Sequence, residues 1–409
     1  MVHFYPLYID PGTGSALFSI LIGAAATIYF LGRALIIKLK VILSGGKAAD
    51  TAFLDHPFVI YSEGKQYWNV FKPVLDEFEN RGVGILYLTS SQDDPVFDSS
   101  QEFVKAEFIG EGNRAFARLN MLRAGICLMT TPGLDVYQLK RSKMVKHYSH
   151  ILHAASDATL YRLFGIDYFD SILLTGDYQA ADIRALEKQR NISEKRLLTV
   201  GCTYLDVYAE KIKNLPAEEN HPFTVLVSPS WGASALLTRY GEKLLDPLAA
   251  SGWRIIIRPH PQSKKSEAAM LGYLQTRYKD SGNVVWDYER ENIYSLTKAD
   301  IMISDFSGII FDYMFLRDKP VLYVSQNLDL RPYDADDIDH ELWQFKTVRE
   351  AGLELKEDDF TRITEIIKNA GDSESLAAAR RKARETAWQY PGEAGKRIFD
   401  FMTEIVNNA

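Results

Sequence analysis

Two cysteines, Cys127 and Cys202, are all that the 409 residues contain. Each sits in an apolar stretch that reads as a strand or strand end, so the expectation is a pair of buried, reduced thiols, which suits a cytosolic catalytic portion. Positive charge is also short: 47 Lys and Arg against 54 Asp and Glu leave a formal net charge of -7. A general nucleic-acid binder, which gains affinity by neutralising phosphates with clustered Lys and Arg, is therefore excluded, and any anionic ligand must meet a local positive site. The chain also lacks the composition of a disordered protein, being 46% hydrophobic and 12% aromatic with 25% charged residues. Its length exceeds what one core usually serves, so two domains with short extras are expected.

One stretch lacks charge altogether. Ser15 to Gly32, SALFSILIGAAATIYFLG, carries no charged side chain and is followed by Arg33, Lys38, Lys40 and Lys47. About 20 mostly apolar residues cross a bilayer core of ~30 Å, and the apolar character resumes in Ala34 to Ile37 while Arg33 can snorkel to the interface. Basic residues on the C-terminal flank place that side in the cytoplasm. The expectation is a single-pass anchor in residues 1–50, at the cytoplasmic (inner) membrane, with the rest of the chain on the cytoplasmic side; the alternative is a buried or monotopic helix. A signal peptide fits poorly, because its positive charge should come first.

After residue 50 the pattern changes to short β-rich runs alternating with amphipathic helical stretches, the mark of parallel sheets covered by helices. FVIY (58–61), GILYLT (84–89), AEFIG (106–110), ICLMT (126–130), SILLTG (171–176) and LLTVG (197–201) are the predicted strands of a first half. FTVLVS (223–228), RIIIRP (254–259), NVVW (283–286), DIMIS (300–304) and PVLYV (320–324) form a second. The polar segment KIKNLPAEENHP (211–222), with two prolines and no apolar period, reads as the linker, giving domains at 51–215 and 216–409 and closing helices from about Asp359.

Ligands of open α/β sheets bind beyond the carboxyl ends of strands, so the residues that follow these runs deserve the chemistry. RIIIRP leads into Arg258 and His260, a guanidinium suited to forked phosphate contacts and an imidazole able to donate a hydrogen bond or proton, although such a His can simply cap a loop. DIMIS runs into a tight SDFSG turn that opens the helical run GIIFDYMFL. Ser304, Asp305, Ser307 and Gly308 there leave N–H groups at a helix N-terminus for a phosphate, with Asp305 capping the turn or binding a hydroxyl; ordinary capping without a ligand is the plain alternative. Ser228 and Trp231 of VSPSWG follow another strand, and Trp231 either lines a cleft or packs. In the first half, HYSHILHAASDATLY offers His147, His150 and His153 ahead of a helix and strand. No Cys or carboxylate pair completes a zinc set, so no metal and no cofactor is expected, and a single imidazole suits a general base on an acceptor hydroxyl. The clusters Asp93, Asp94, Asp98 and Asp334, Asp336, Asp337, Asp339 read as solvated loops, and Glu63 as a weaker cleft candidate.

Taken together, VSPSWG, IRPHPQ and ISDFSGIIFDYMFLRDKPVLYV resemble, in content and order, the CDP-glycerol glycerophosphotransferase family, which includes enzymes that prime and polymerise teichoic acids. The similarity spans roughly residues 58 to 345 and is most specific in the last motif. The resemblance implies a GT-B-like fold, two Rossmann-type domains facing across a cleft with the donor held by the C-terminal one. It matches the family's two histidines to His153 and His260 as catalytic residues. Arg258, Ser304, Asp305, Ser307, Gly308, Ser228 and Trp231 become donor-binding candidates. It implies transfer of glycerol phosphate, or a related alditol phosphate, from a CDP-activated donor to a hydroxyl of a cell-envelope glycan or lipid-linked acceptor. Two departures bear on the acceptor side and on chain polymerisation: Ala154 follows His153 where the polymerases carry Gly, and an apolar N-terminal segment stands where they use basic surface helices. A GT-B glycosyltransferase using a nucleotide sugar, or a non-catalytic nucleotide-binding scaffold, are the competing expectations.

Overall fold

The computed structural model describes residues 56–216, 221–325, 328–371 and 373–408. The expected anchor at residues 1–50 lies outside the described residues, and among those described no helix is long and apolar enough to cross a membrane.

Seven parallel strands form the first sheet: β1 (His56–Ser62), β2 (Ile85–Thr89), β3 (Val104–Phe108), β4 (Ala124–Met129), β5 (Val145–Ile151), β6 (Ser171–Leu174) and β7 (Arg196–Thr199). Their spatial order is β3-β2-β1-β4-β5-β6-β7. The second sheet has six, β8 (Thr224–Val227), β9 (Arg254–Ile257), β10 (Val284–Trp286), β11 (Ile301–Ser304), β12 (Val321–Tyr323) and β13 (Leu353–Glu354), in the order β10-β9-β8-β11-β12-β13. Because helices cover both faces, inner strands such as β2, β8 and β11 are buried at every position, whereas the edge strands β3 and β10 are only partly covered. Each sheet reverses its strand order once, between β1 and β4 and between β8 and β11, and these two switch points are where crevices open.

Two strands escaped the sequence pattern. The segment read as a run of histidines ahead of a helix is β5, VKHYSHI, paired with β4 through His150↔Met129 and with β6 through His150↔Ile172. Its polar side chains conceal it, but the apolar neighbours on both sides supply the burial that favours an extended chain. The helix expected after it is absent; a 3-10 turn, Ala158–Leu160, stands there instead. The two-residue β13 is too short to give a pattern. The predicted linker begins inside a helix, since Lys211–Lys213 close the helix Thr203–Lys213.

The end of the chain returns to the first sheet. In the helix Ala394–Asn407, Ile398, Phe399, Phe401 and Met402 join the core built by Phe58, Val70, Val74 and Phe78, and the Phe399 ring meets Phe78 at 4.8 Å. At about 1.5–3 kcal/mol for each fully buried large side chain, four such residues hold the return firmly. The segment 216–409 is therefore not one spatial unit: its last helix packs with residues 56–199. Asp206 pins the crossing by accepting from Trp388 Nε1 and the Gly392 N–H, each at 2.8 Å.

Candidate active site

At the second switch point, one carboxylate organises the backbone. Asp305, 2% exposed, accepts from the N–H groups of Ser230 (2.9 Å) and Ser307 (3.2 Å) on Oδ1 and of Leu236 (2.9 Å) on Oδ2. It thereby ties the loop after β8 to the turn after β11. Burial raises its pKa despite three donors. The Asp305 side chain thus holds its own protein's backbone; of the two roles read from sequence, capping the turn is the one the geometry shows. Ser304 donates to the Ser228 carbonyl at 2.6 Å and is fully buried, while the Ser228 hydroxyl reaches the Arg258 carbonyl at 3.5 Å, so these two serines clip the ends of β8, β9 and β11 together.

Arg258 is also engaged within its own domain. Nη1 meets Asp287 Oδ2 at 2.6 Å and Nη2 donates to the Glu289 carbonyl at 2.8 Å. Burial opposes ionisation of Asp287, but the Ser295 hydroxyl, the Glu289 N–H and Arg258 outweigh it and lower its pKa. The guanidinium expected on the donor phosphates instead braces the segment after β10.

His260, Trp231, Ser307 and Gly308 remain open. The Trp231 and His260 rings stack at 6.2 Å, with the indole 47% exposed, so Trp231 lines the site rather than filling a core. His260 Nδ1 accepts from the Gln262 N–H at 3.1 Å, which fixes the neutral ring with its proton on Nε2. Burial lowers its pKa, against the pull of Glu267, and favours that neutral form. The imidazole is therefore a hydrogen-bond donor at Nε2 near pH 7. Gly308 opens the helix Ile309–Arg317 with no side-chain cap; the Ser307 N–H goes to Asp305 and those of Ile310 and Phe311 to the Ser307 and Gly308 carbonyls, so the Gly308 and Ile309 N–H groups are the ones without a partner among the described residues. A cavity of about 410 Å³ adjoins this turn, lined by Phe306, Ser307, Phe311, Leu328, Phe345 and Arg349 among others. Its size and mixed aromatic lining suit a small organic ligand. Sequence reading missed its aromatic wall, because Phe345 and Arg349 belong to the helix Trp343–Ala351, which only packing brings to β12.

The three histidines of the segment 147–153 take different roles. His150 is fully buried on β5 between Tyr161 and Phe169, with neither ring nitrogen bonded among the described residues, and burial drives its pKa down to about 3. His147 is held by Ser171 at 2.9 Å. His153, two residues past the end of β5, is the one of the three that lies beyond the strand's carboxyl end. Its Nδ1 lies 3.0 Å from Thr130 Oγ1 and 3.2 Å from the Tyr161 hydroxyl, Tyr67 packs edge-on at 5.4 Å, and burial lowers its pKa to about 4. Thr130 follows β4 directly, so the strand-end rule applied to the first half would have found it; Tyr161 carries no comparable signal.

Polar contacts join the strand-end sides of the two sheets. Arg290, after β10, donates to the Lys65 carbonyl after β1 at 3.0 Å, and Glu291 takes Asn69 and Lys211 at 3.3 and 2.5 Å. The acidic loop read as solvated does the same on the other flank. Asp334 is fully buried, accepts from the Phe164 and Gly165 N–H groups and meets Arg190, which also holds Asp167 and Asp337. Likewise Asp94 is buried, accepting from Thr89 and the Val96 N–H.

The family model for CDP-Glycerol:Poly(glycerophosphate) glycerophosphotransferase matches residues 177–402, more than half of the chain. The chain belongs to this family. The glycerophosphotransferase is thus a CDP-glycerol glycerophosphotransferase-like transferase, and the match covers every donor-side candidate while ending short of His153. Solved structures share its fold, two of them as follows. The wall teichoic acid polymerase TagF is 14% identical, with a TM-score of 0.54, over 86% of this chain and 89% of that one. The UDP-GlcNAc 2-epimerase of Methanocaldococcus jannaschii, in complex with UDP-GlcNAc and UDP, is 14% identical with a TM-score of 0.56, over 85% and 99%. At such identity the likeness concerns architecture: two Rossmann-like parallel-sheet domains in a GT-B-like arrangement. No curated protein matches the glycerophosphotransferase.

Proposed function

We propose that this transferase moves glycerol phosphate from CDP-glycerol to a hydroxyl of a cell-envelope acceptor and releases CMP. The observation that carries the reading is the helix Ile309–Arg317, whose uncapped N-terminal turn adjoins a nucleoside-sized cavity, in the same domain as a His260 whose Nε2–H is fixed by the Gln262 N–H. A diphosphate at that helix end meets oriented N–H groups and a neutral donor. TagF, which shares the fold, is a wall teichoic acid polymerase, and a histidine variant of it has been soaked with CDPG.

In the reaction, the acceptor oxygen attacks the glycerol-bearing phosphorus and forms a new P–O bond. The bond from that phosphorus to the bridging oxygen breaks, and CMP leaves with the electron pair. The acceptor's proton passes to His153 Nε2, which requires the neutral ring to carry its own proton on Nδ1 and donate it to Thr130 Oγ1 or the Tyr161 hydroxyl oxygen. His260 and the helix N-terminus receive the charge that grows on the departing CMP. Residues 15–32 hold the protein at the inner face of the cytoplasmic membrane, so that a membrane-bound acceptor is met at raised effective concentration. The domains at 51–215 and 216–409 carry acceptor and donor respectively, apart from the returning last helix.

Purified full-length protein given CDP-glycerol and a series of lipid-linked acceptors should release CMP with at least one of them. Absence of CMP with every acceptor, together with a thermal shift for a UDP-sugar and none for CDP-glycerol, would move the assignment to a sugar transferase.

A further inference from the structure

The candidate base is not held by its own domain alone. His153 Nδ1 has two oxygens in reach, Thr130 Oγ1 at 3.0 Å and the Tyr161 hydroxyl at 3.2 Å. Thr130 directly follows β4 and is fully buried, so the first sheet fixes it. Tyr161 follows the 3-10 turn Ala158–Leu160 and belongs to no strand. What holds it is a loop of the second domain, residues 332–334, between β12 and the helix Trp343–Ala351. The Asp334 N–H donates to the Tyr161 carbonyl at 2.9 Å and the Leu163 N–H to the Pro332 carbonyl at 3.2 Å, which pairs Arg162 with Tyr333 in an antiparallel bridge. The Asp334 carboxylate then accepts from the Phe164 N–H at 2.6 Å and the Gly165 N–H at 3.2 Å.

The backbone of this loop shows that the hold is imposed. Phe164 has a φ of 66°, a left-handed conformation that a bulky residue adopts only where its surroundings enforce it. Asp334 binds its N–H, and Arg190, which meets the same carboxylate at 2.8 Å, lies over its ring at 4.8 Å. At the other end of the loop, the Tyr161 hydroxyl bears on the tautomer of the base. A ring nitrogen with one hydroxyl partner can swing about that bond, and either tautomer satisfies it. Two oxygens at one nitrogen suit an N–H shared between two acceptors, since a single lone pair receives only one O–H well. A proton kept on Nδ1 in this way leaves Nε2 with the lone pair that a base needs.

We propose that Tyr161 is a positioning residue for the general base and that Asp334 of the second domain places it: the Tyr161 hydroxyl oxygen shares the His153 Nδ1 proton with Thr130 only while residues 332–334 hold the loop 161–165. The base is then complete only where the two domains meet. The inference rests on the transfer reaction proposed above for what His153 does, and adds the residues that hold it to that task.

Full-length wild type, Tyr161→Phe and Asp334→Asn are to be compared by NMR of isotope-labelled histidine ring nitrogens, which reads the tautomer, with His153→Ala assigning the His153 signals by their loss. Tyr161→Phe keeps the ring that packs edge-on against His150 at 5.2 Å and should fold. Wild type should carry the His153 proton on Nδ1, and Tyr161→Phe should move it toward Nε2. The same variant should lower kcat roughly 10- to 100-fold, the size expected for a hydrogen bond to the imidazolium that forms as the base takes its proton. Its KM and calorimetric affinity for CDP-glycerol should hold, a split that general loss of structure would not give. Asp334→Asn, whose side chain serves the loop and Arg190 rather than His153, should shift the same signals in the same direction. Asp334→Glu, which keeps the charge against Arg190 but displaces the loop, takes its place if the amide variant does not fold. A wild-type ring protonated on Nε2 overturns the proposal, as does Tyr161→Phe with unmoved signals and normal kcat. Signals that move in Tyr161→Phe but in neither folded Asp334 variant overturn the part given to the second domain. A wild type whose ring behaves as expected but which never releases CMP leaves the positioning standing and removes the transfer reading instead.

Discussion

His153 and His260 are both kept neutral near pH 7 by burial, but their partners differ, and that separates what their loss should do. His260 is fixed as an Nε2–H donor by the Gln262 N–H, in the domain that carries the uncapped helix N-terminus. His260→Ala should weaken CDP-glycerol binding and lower turnover together, because the same hydrogen bond serves bound donor and departing CMP. Among the described residues, His153 is hydrogen-bonded to Thr130 and Tyr161, both of the first domain. His153→Ala should leave calorimetric CDP-glycerol binding nearly intact and cut transfer by ~10²- to 10⁴-fold. Loss of donor binding in His153→Ala with normal binding in His260→Ala would exchange the two roles. The pH profile adds a check. Burial depresses the His153 pKa to about 4, so its base form persists as pH falls through the ordinary histidine range. Transfer should therefore stay level between about pH 6 and 7.5 on its acid side; a loss centred near the usual imidazole value of about 6.5 would contradict the depressed pKa.

Among the elements, the returning helix Ala394–Asn407 matters most to the first domain. It lies against the helix Trp68–Asn80, and Gly395 makes the approach possible: a Cβ there would run into the carbonyl and Cβ of Pro73. Backbone cannot yield as a flexible side chain can, so Gly395→Ala should push the helix away from Phe78 and cost on the order of 1–3 kcal/mol. Urea unfolding followed by circular dichroism checks this, with the exposed Gly392→Ala unsuitable as a control because its φ of 82° penalises any side chain. A better control is Gly282→Ala, where no atom lies near the added methyl and φ is not positive; it should shift stability far less. An equal loss in both variants would mean that the close helix approach contributes nothing special.

Across the whole molecule, the two sheets are joined by polar clamps. Arg190, 7% exposed, meets Asp167 at 2.7 Å, Asp334 at 2.8 Å and Asp337 at 2.7 Å, tying the loop after β12 to the first domain. Removal of the one cation leaves buried carboxylates facing each other, and burial already lifts the Asp334 pKa to about 6 against the pull of Arg190. Arg190→Ala should destabilise by about 3–5 kcal/mol at neutral pH, the usual cost of uncompensated buried charge. Without Arg190 the Asp334 pKa rises further above its unfolded value, so the variant binds more protons folded than unfolded in mildly acid solution. Its stability should accordingly fall as pH rises through that folded pKa, and lowering the pH from 7 towards 5 should recover part of the loss relative to wild type. Melting temperatures of both proteins across that range decide the matter; a parallel pair of curves would remove the clamp from the account.

Eleven of the thirteen strands were legible in the sequence because parallel strands buried on both faces leave apolar runs, and the donor-side loop residues were legible because they follow such runs. The family motifs lie in the same half for the same reason: a turn that opens a helix toward a ligand is written in consecutive residues. What the sequence could not settle is where side chains spend their hydrogen bonds. Arg258 and Asp305 carry the right chemistry for a phosphate or a hydroxyl, yet packing turns one to Asp287 and the other to three backbone N–H groups. His150 and His153 are three residues apart, and one is core while the other lies beyond the strand's carboxyl end, because β5 ends between them. The last helix joins the first sheet although nearly 200 residues separate them, since an amphipathic face records only that it will be buried and not against which partner. Local order therefore determined the strands and the donor loops, and only the tertiary structure decided which polar groups remained free to act.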